Sequence, residues 1–533
     1  MHQHLFKLLF LQCVCSVLLS SPAAAEPLTP KFGAVRGVAS DYFGVNQNTV
    51  QNPGWASNPL ATALVKDLKF GSVRYPGGTV ANFFDWRTGT TVPGSGQRLD
   101  HRYELGDLAF IQREAGAIPT FVLNMSTGRG LEDQMEQLIQ AKALGLPIRR
   151  VELGNEFYLG SSSYKAAFGD GAEYGRTAKA WAARVRELFP GAEVAAVAAQ
   201  NLPSTDPDSR IGRWNAEMFS ELSPDDVDAL TLHYYGGSTL GGVSTRRPDK
   251  FGTPEAQRAQ HDALQADTGP DRFIGAAFGY VNAITRTTDV PEGFDLWITE
   301  NNLFDRTGPA RHTWAHGMYN AAVQAQLLRD ERVTQTHFHN LINQASLFGL
   351  SFTGEGNEFN GLLTEQLGIT QDLTPEAGAL TASGHVMKMF GEALGGVDRA
   401  QRLFFEPTPK VGGDGSGVTE HPAILGFRLF DDDDDLQRIF LLNLGGESLE
   451  VDTSRWLGRL DEVLSLSGDP RRYVIDAQDV TLTSSVLGPG SSTLQPYSLT
   501  LLRAPVVVPE PAAAASLLVL VLSAGRRRPA GSR

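Results

Sequence analysis

Arg150-Val151-Glu152-Leu153-Gly154-Asn155-Glu156 alternates apolar with charged or small residues and ends in a carboxylate. Successive side chains on a strand point to opposite faces, so Gly154 leaves space beside the backbone while Asn155 and Glu156 stand at the strand's rim. A second stretch, Phe294-Asp295-Leu296-Trp297-Ile298-Thr299-Glu300, ends the same way. Working outward, both belong to a series of eight expected strands: Asp41–Asn48, Lys69–Tyr75, Ile118–Asn124, Arg149–Glu156, Glu193–Gln200, Val227–Tyr235, Phe294–Glu300 and Val333–Asn340. Helical periodicity fills the intervals at Leu105–Ala115, Glu132–Leu144, Glu173–Leu188 and Trp314–Arg329. In the last of these, Met318, Ala321, Ala322, Ala325 and Leu328 recur every three or four residues and predict one apolar face. A final helix, Gly384–Leu394, closes the series.

Eight strands alternating with helices is the arrangement of a (β/α)8, or TIM, barrel in the α/β class. An open doubly wound sheet needs fewer strands and a Gly-rich phosphate turn after the first, which Val45-Asn46-Gln47-Asn48 is not. Beyond residue 397 the pattern changes to short runs separated by Gly, Asp, Ser and Pro: Arg402–Phe405, Ala423–Leu429, Arg438–Leu442, Tyr473–Ile475, Val480–Leu482 and Ser498–Leu502. These predict an appended antiparallel β-sandwich. The acidic run Asp431–Asp435 lies in one of its turns. It lacks the alternating spacing of a calcium loop and reads as a solvated turn.

The expected organisation is an export signal over 1–25, a catalytic barrel over 30–396, the sandwich over 397–504 and a sorting tail over 505–533. Lys7 precedes an apolar run from Leu8 to Leu19 and the small-residue site Ala23-Ala24-Ala25. Cys13 and Cys15 both fall inside that segment, so the mature chain is expected to hold neither disulfides nor thiolate metal sites. At the other end, Val508-Pro509-Glu510-Pro511 precedes an apolar run, Ala512 to Ala524, and then Arg526-Arg527-Arg528. Arginines beyond an apolar stretch stay on the cytoplasmic side, and the run is shorter than the roughly 20 residues of a membrane-spanning helix. These ends predict export across the inner membrane, to the cell surface or extracellular matrix, with the tail as a transient handle for membrane or sorting machinery. A net charge of -14 argues against nucleic acid as a partner and leaves a neutral polysaccharide open.

Active sites of such barrels form at the C-terminal ends of the strands. Carboxylates on strands four and seven face each other across the mouth, and glycoside hydrolysis uses such a pair. Glu156 is therefore expected as acid/base and Glu300 as nucleophile. Weaker candidates for binding substrate are Asn124, which equally fits a turn, and Trp86 and Trp314, which equally fit packing. His337 and His339 share one side of strand eight and fit hydrogen bonding in the mouth better than a metal. Glu152 fits a structural pairing with Arg74 or another cation. No metal or cofactor is expected.

With these residues in place, the chain resembles clan A glycoside hydrolases, retaining (β/α)8 enzymes with Asn-Glu ending strand four and Glu ending strand seven. Ser72-Val73-Arg74-Tyr75-Pro76-Gly77-Gly78 resembles a turn of α-L-arabinofuranosidases and heparanase-like β-glucuronidases, and Leu232-His233-Tyr234-Tyr235 resembles an element of the same families. The C-terminus resembles a PEP-CTERM sorting tail. The resemblance implies that Asn155 contacts the sugar 2-hydroxyl, that Arg74 keeps the nucleophile ionised, and that a tyrosine of Tyr234-Tyr235, beside His233, hydrogen-bonds it. It implies a carbohydrate substrate and net retention, arabinofuranoside first and glucuronide second. Two other classes compete: a non-catalytic carbohydrate-binding surface protein, against which the two intact acids argue, and a serine esterase, for which no Gly-x-Ser-x-Gly elbow is present.

Overall fold

The computed structural model describes residues 26–504, apart from 47–58, 94, 96–101, 201–204, 246–252, 286–289, 304–307, 343–348, 355–358, 360, 414–419, 432, 434, 457–459 and 489. The export segment with its two cysteines and the sorting tail lie outside the described residues. No helix among the described residues is long and apolar enough to cross a membrane.

Eight parallel strands close into a barrel: Phe43–Asn46, Ser72–Tyr75, Ile118–Val122, Arg150–Glu152, Glu193–Val197, Ala229–Gly236, Asp295–Leu303 and Val333–His339. They are barrel strands one to eight in chain order, and each corresponds to one of the strands read from the sequence. Pairing of Thr336 with Phe43 joins the eighth to the first and removes every free edge.

Two of these strands depart from the expected limits in ways that matter for the site. Strand four ends at Glu152, and the chain then turns through Gly154 at φ 92° and Glu156 at φ 50°. Glu156 thus stands beyond the strand on a left-handed turn. A β-carbon on Gly154 would lie 2.1 Å from the Phe157 ring, so glycine is required there for space as well as for backbone sign. Strand seven instead runs on to Leu303, which places Glu300 inside it. Its register slips between Trp297 and Glu300 against strand six, and between Ile298 and Asn301 against strand eight. Such a bulge re-aims the side chain that follows it.

The helix Trp314–Arg329 forms at its expected limits, with the Thr313 hydroxyl capping it. Its single apolar face does not describe it, because every residue from Trp314 to Leu328 is buried. It lies between the helices Gly269–Thr285 and Ala382–Leu394 and the barrel wall. Its polar residues are paired inside: Gln324 donates to Asn301 at 2.6 Å and Asn320 to Ser383 at 2.8 Å.

The C-terminal region is a seven-stranded antiparallel sheet in the order Thr29–Gly37, Arg399–Glu406, Ile424–Phe430, Leu436–Asn443, Ser498–Arg503, Glu462–Gly468 and Val480–Val486. A two-stranded layer, Leu449–Asp452 with Ser491–Leu494, accompanies it. The chain's first described strand thus belongs to this sheet and not to the barrel. Tyr473–Ile475 forms no strand; Tyr473 makes an isolated bridge to Thr313. Glu462–Gly468 and the two short strands escaped the pattern because Ser, Thr and Glu fill their open positions. In the acidic turn, the Asp431 carboxylate accepts the backbone N–H groups of Asp433 and Asp435.

Alternation along Leu436–Asn443 buries both faces of the large sheet. Ile439 and Leu441 pack with Val451, Trp456 and Leu494, while Phe440 and Leu442 join the barrel's core. Phe440 meets Phe390 of the Ala382–Leu394 helix edge to face at 5.0 Å. The fully buried Trp314 donates its indole N–H to the Tyr497 carbonyl at 2.7 Å, also across this junction. Phe440→Ala is expected to cost about 3–5 kcal/mol, the usual range for a buried Phe truncated to a cavity, read as a lower urea midpoint at unchanged slope.

Candidate active site

At the mouth, Arg74 is the next-to-last residue of strand two. Its Nε and Nη2 donate to Glu152 at 3.0 and 2.7 Å, its Nη1 to Glu300 Oε1 at 2.7 Å, and its Nη2 to Asn155 Oδ1 at 2.9 Å. All four side chains are buried. One planar cation therefore sets the positions of two carboxylates and an amide, a geometry that lysine cannot reproduce.

Glu300 receives further donors on both oxygens. Asn46, at the end of strand one, donates to Oε1 at 3.0 Å, and the Tyr235 hydroxyl donates to Oε2 at 2.5 Å. Burial by itself would raise this carboxyl, but His233, Arg74 and the Tyr235 hydrogen bond together outweigh it and hold Glu300 well below the ordinary carboxylate range. Glu300 is thus an ionised, fully directed carboxylate. Asn46 needs space to reach it: a β-carbon on Gly77, at φ 76°, would lie 2.1 Å from Asn46 Oδ1.

Glu156 approaches from the opposite side. Its Oε1 is met by His233 Nδ1 at 2.8 Å and by the Tyr158 hydroxyl at 3.2 Å. The same His233 nitrogen lies 3.6 Å from Glu300 Oε2. Burial lowers the basicity of His233, yet the Glu300 and Glu156 carboxylates more than reverse this and raise its pKa. One oxygen from each glutamate and a His233 nitrogen all lie within 4.8 Å of one another. Those three groups could in principle ligate a cation. Arg74, 2.7 Å from Glu300, already supplies positive charge there and disfavours one.

The turn carrying Glu156 is clamped by Asn82, a fully buried residue of the 3-10 turn Thr79–Phe83. Its Nδ2 donates to the Asn155 carbonyl at 2.5 Å and its Oδ1 accepts the Asn155 N–H at 3.0 Å, as a neighbouring strand would. Asn155 keeps a buried Nδ2 with no partner among the described residues.

The structure therefore gathers Glu156, Glu300, Arg74, Asn155, His233 and Tyr235. The other candidates have partners of their own. Tyr234 alternates to the outer face and packs in the core. Asn124 closes its own turn, accepting from the N–H groups of Ser126 and Thr127 and donating to the Phe84 carbonyl. Trp314 sits fully buried against the sandwich. Trp86 is half-buried, with its indole N–H on Asp133 and Arg87 over its ring at 4.4 Å. His337 is buried below the mouth, 2.9 Å from the Ser72 hydroxyl. Asn46, Asn82 and Tyr158 join the site without having been expected there, and His339, expected to hydrogen-bond in the mouth, faces Asn46 at 2.7 Å. Of these, only the strand-end positions of Asn46 and His339 carried a signal in the sequence.

No protein-family model matches the chain, and no curated protein matches it. Solved structures do. A family 51 α-L-arabinofuranosidase from Bifidobacterium longum aligns with a TM-score of 0.62 at 16% identity, over 90% of this chain and 97% of that one. The GH51 arabinofuranosidase of Xanthomonas axonopodis pv. citri aligns at 0.58 and 16%, over 90% and 100%. A 4-O-α-L-rhamnosyl-β-D-glucuronidase from Fusarium oxysporum 12S aligns at 0.53 and 13%, over 89% and 100%. At these identities the likeness establishes a shared barrel-plus-sheet fold.

Arg74→Met leaves Glu152 and Glu300 buried without their cation. It should cost about 3–5 kcal/mol of stability, measured by denaturant unfolding, with Arg74→Lys recovering only part. His233 should titrate above an ordinary histidine by NMR, because its protonated form is favoured in the folded state. That contribution to stability is complete below the unfolded pKa near 6.5 and is lost as pH rises through the folded value. In Glu300→Gln the His233 midpoint should fall; an unchanged midpoint would count against the coupling.

Proposed function

We propose that this chain is a retaining glycoside hydrolase of clan A, acting by double displacement on an α-L-arabinofuranoside-like substrate. The observation that carries the reading is the pair of carboxylates at one barrel mouth, with oxygens within 4.8 Å, one hydrogen-bonded on both oxygens and anionic, the other facing it from a separate turn. Separations near 5 Å suit retention, because there is no room for a water between carboxylate and anomeric carbon.

In the first step a Glu300 oxygen attacks the anomeric carbon. The bond to the leaving oxygen breaks, and that oxygen takes the proton of Glu156. In the second, water attacks the same carbon, gives its proton to Glu156, and the glycosyl ester to Glu300 breaks. Tyr235, Asn46 and Arg74 hold the attacking carboxylate in one orientation, which reduces the reorganisation needed on reaching the transition state. The orphaned Asn155 Nδ2 suits a sugar hydroxyl beside the anomeric centre, since a buried donor without a partner costs free energy until a ligand supplies an acceptor.

The glucuronide alternative draws on the Fusarium rhamnosyl-glucuronidase fold. Arg74 is committed to Glu152, Glu300 and Asn155 and so leaves no guanidinium of its own for a uronate carboxylate, which favours the neutral sugar. The same proposal includes export and a sorting tail, tested by fractionating cells that express the full chain.

The decisive experiment is a panel of aryl arabinofuranoside, xyloside, glucuronide, glucoside and galactoside. Wild type should cleave the arabinofuranoside, with the first-formed anomer retained by NMR. Glu300→Gln should fall to background. Glu156→Gln should lose about 10²–10⁴-fold on poor leaving groups and far less on activated ones. Activity surviving both substitutions removes the assigned roles, and a wild type inert on the whole panel favours a binding protein.

A further inference from the structure

His339 ends strand eight on the wall of the site, buried to 3% exposure, with its ring edge to face against Tyr235 at 5.8 Å. Its Nδ1 lies 2.7 Å from Asn46 Nδ2 and 3.7 Å from Glu300 Oε2. The orientation of Asn46 decides the chemistry of this ring. The Asn46 amide nitrogen also faces Glu300 Oε1 at 3.0 Å, and a carboxylate there demands a donor; the flipped amide would set oxygen against oxygen. Asn46 is therefore the donor to His339 as well, and Nδ1 must be the acceptor. A neutral imidazole whose Nδ1 accepts carries its one proton on Nε2. Burial, Arg74 and His233 disfavour the charged ring more than the two glutamates favour it, so the neutral form prevails.

That Nε2–H is buried and has no partner among the described residues. An orphaned N–H inside a protein is destabilising, and at a site rich in fixed donors it marks a place that a ligand completes. Asn155 Nδ2 is the second such donor among the residues that hold Glu300 and Arg74. The two lie on opposite sides of the mouth, one after strand four and one at the end of strand eight.

We propose that His339 is a specificity-determining residue: its Nε2–H donates to a hydroxyl of the sugar held between Glu156 and Glu300, remote from the hydroxyl that Asn155 meets. This rests on the glycosidase reading and adds to it a second anchoring point on the glycon. A sugar lacking that hydroxyl leaves the N–H unpaired and is discriminated against.

The test pairs two variants with monodeoxy aryl glycosides of whichever sugar wild type cleaves. His339→Asn keeps an acceptor near the Nδ1 position for Asn46 and deletes the remote donor. His339→Gln restores a donor at the longer reach. Expected for His339→Asn is a loss of about ten-fold or more in kcat/KM on the complete sugar, recovered in part by His339→Gln. For one monodeoxy substrate, wild type and His339→Asn should become equal. Equal further losses on every monodeoxy substrate would overturn the assignment, because a packing role lowers all substrates alike. Long-range ¹⁵N correlation reads the tautomer without turnover: Nδ1 protonated overturns the inference even in an active enzyme. A correct tautomer in a wild type inert on every glycoside would instead sink the glycosidase reading and the sugar contact with it.

Discussion

The buried guanidinium of Arg74 is the interaction on which the site depends. It faces Glu152, Glu300 and Asn155 at once, from near the end of a barrel strand, with no access to solvent. A buried ion pair is weak evidence for stability, since desolvation offsets most of the attraction. Its value here is positional. Glu152 occupies one edge of the fork in a bidentate bond, so the remaining N–H groups can point only at Glu300 and Asn155. Glu152 is thus the counter-ion that fixes Arg74, and Arg74 in turn fixes the Glu300 carboxylate.

The two glutamates reach the mouth by different backbone devices. Glu300 lies within a continuous strand, redirected by a register slip shared with both neighbours. Glu156 lies on a left-handed turn four residues past its strand, held by the paired amide of Asn82. A residue at positive φ persists only where its surroundings over-determine it. Here the clamp, the Phe157 ring packed on Gly154, and the hydrogen bonds to Glu156 Oε1 do so. The Glu300 carboxylate accepts from donors on both oxygens. The Glu156 carboxyl is held at one oxygen, which suits the proton transfer proposed for it.

The sandwich takes part in holding the barrel. Its large sheet has two apolar faces, and one of them covers the Ala382–Leu394 helix through Phe440 and Leu442. The helix after strand seven begins at Trp314, which is sealed by the Tyr497 carbonyl. The element that follows the strand carrying Glu300 is therefore anchored in the second layer.

Periodicity alone determined the eight strands, the helix at 314–329 and the pairing of an Asn-Glu with a distant Glu, because closing a barrel forces its mouth to be built from strand ends. It did not determine which neighbours those ends would have. Asn46 and His339 reach Glu300, and Asn82 reaches the Asn155 backbone, from three separate segments, and no spacing in the chain records that convergence. Trp314 and Asn124 show the converse: their types suited a sugar site, but a domain junction and a local turn claimed them first. The left-handed turn at Glu156 and the slip before Glu300 likewise arise from packing against Phe157, Asn82 and adjacent strands. Residue type and period are properties of the chain, whereas the partner a buried polar group finds is settled only when the barrel closes around it.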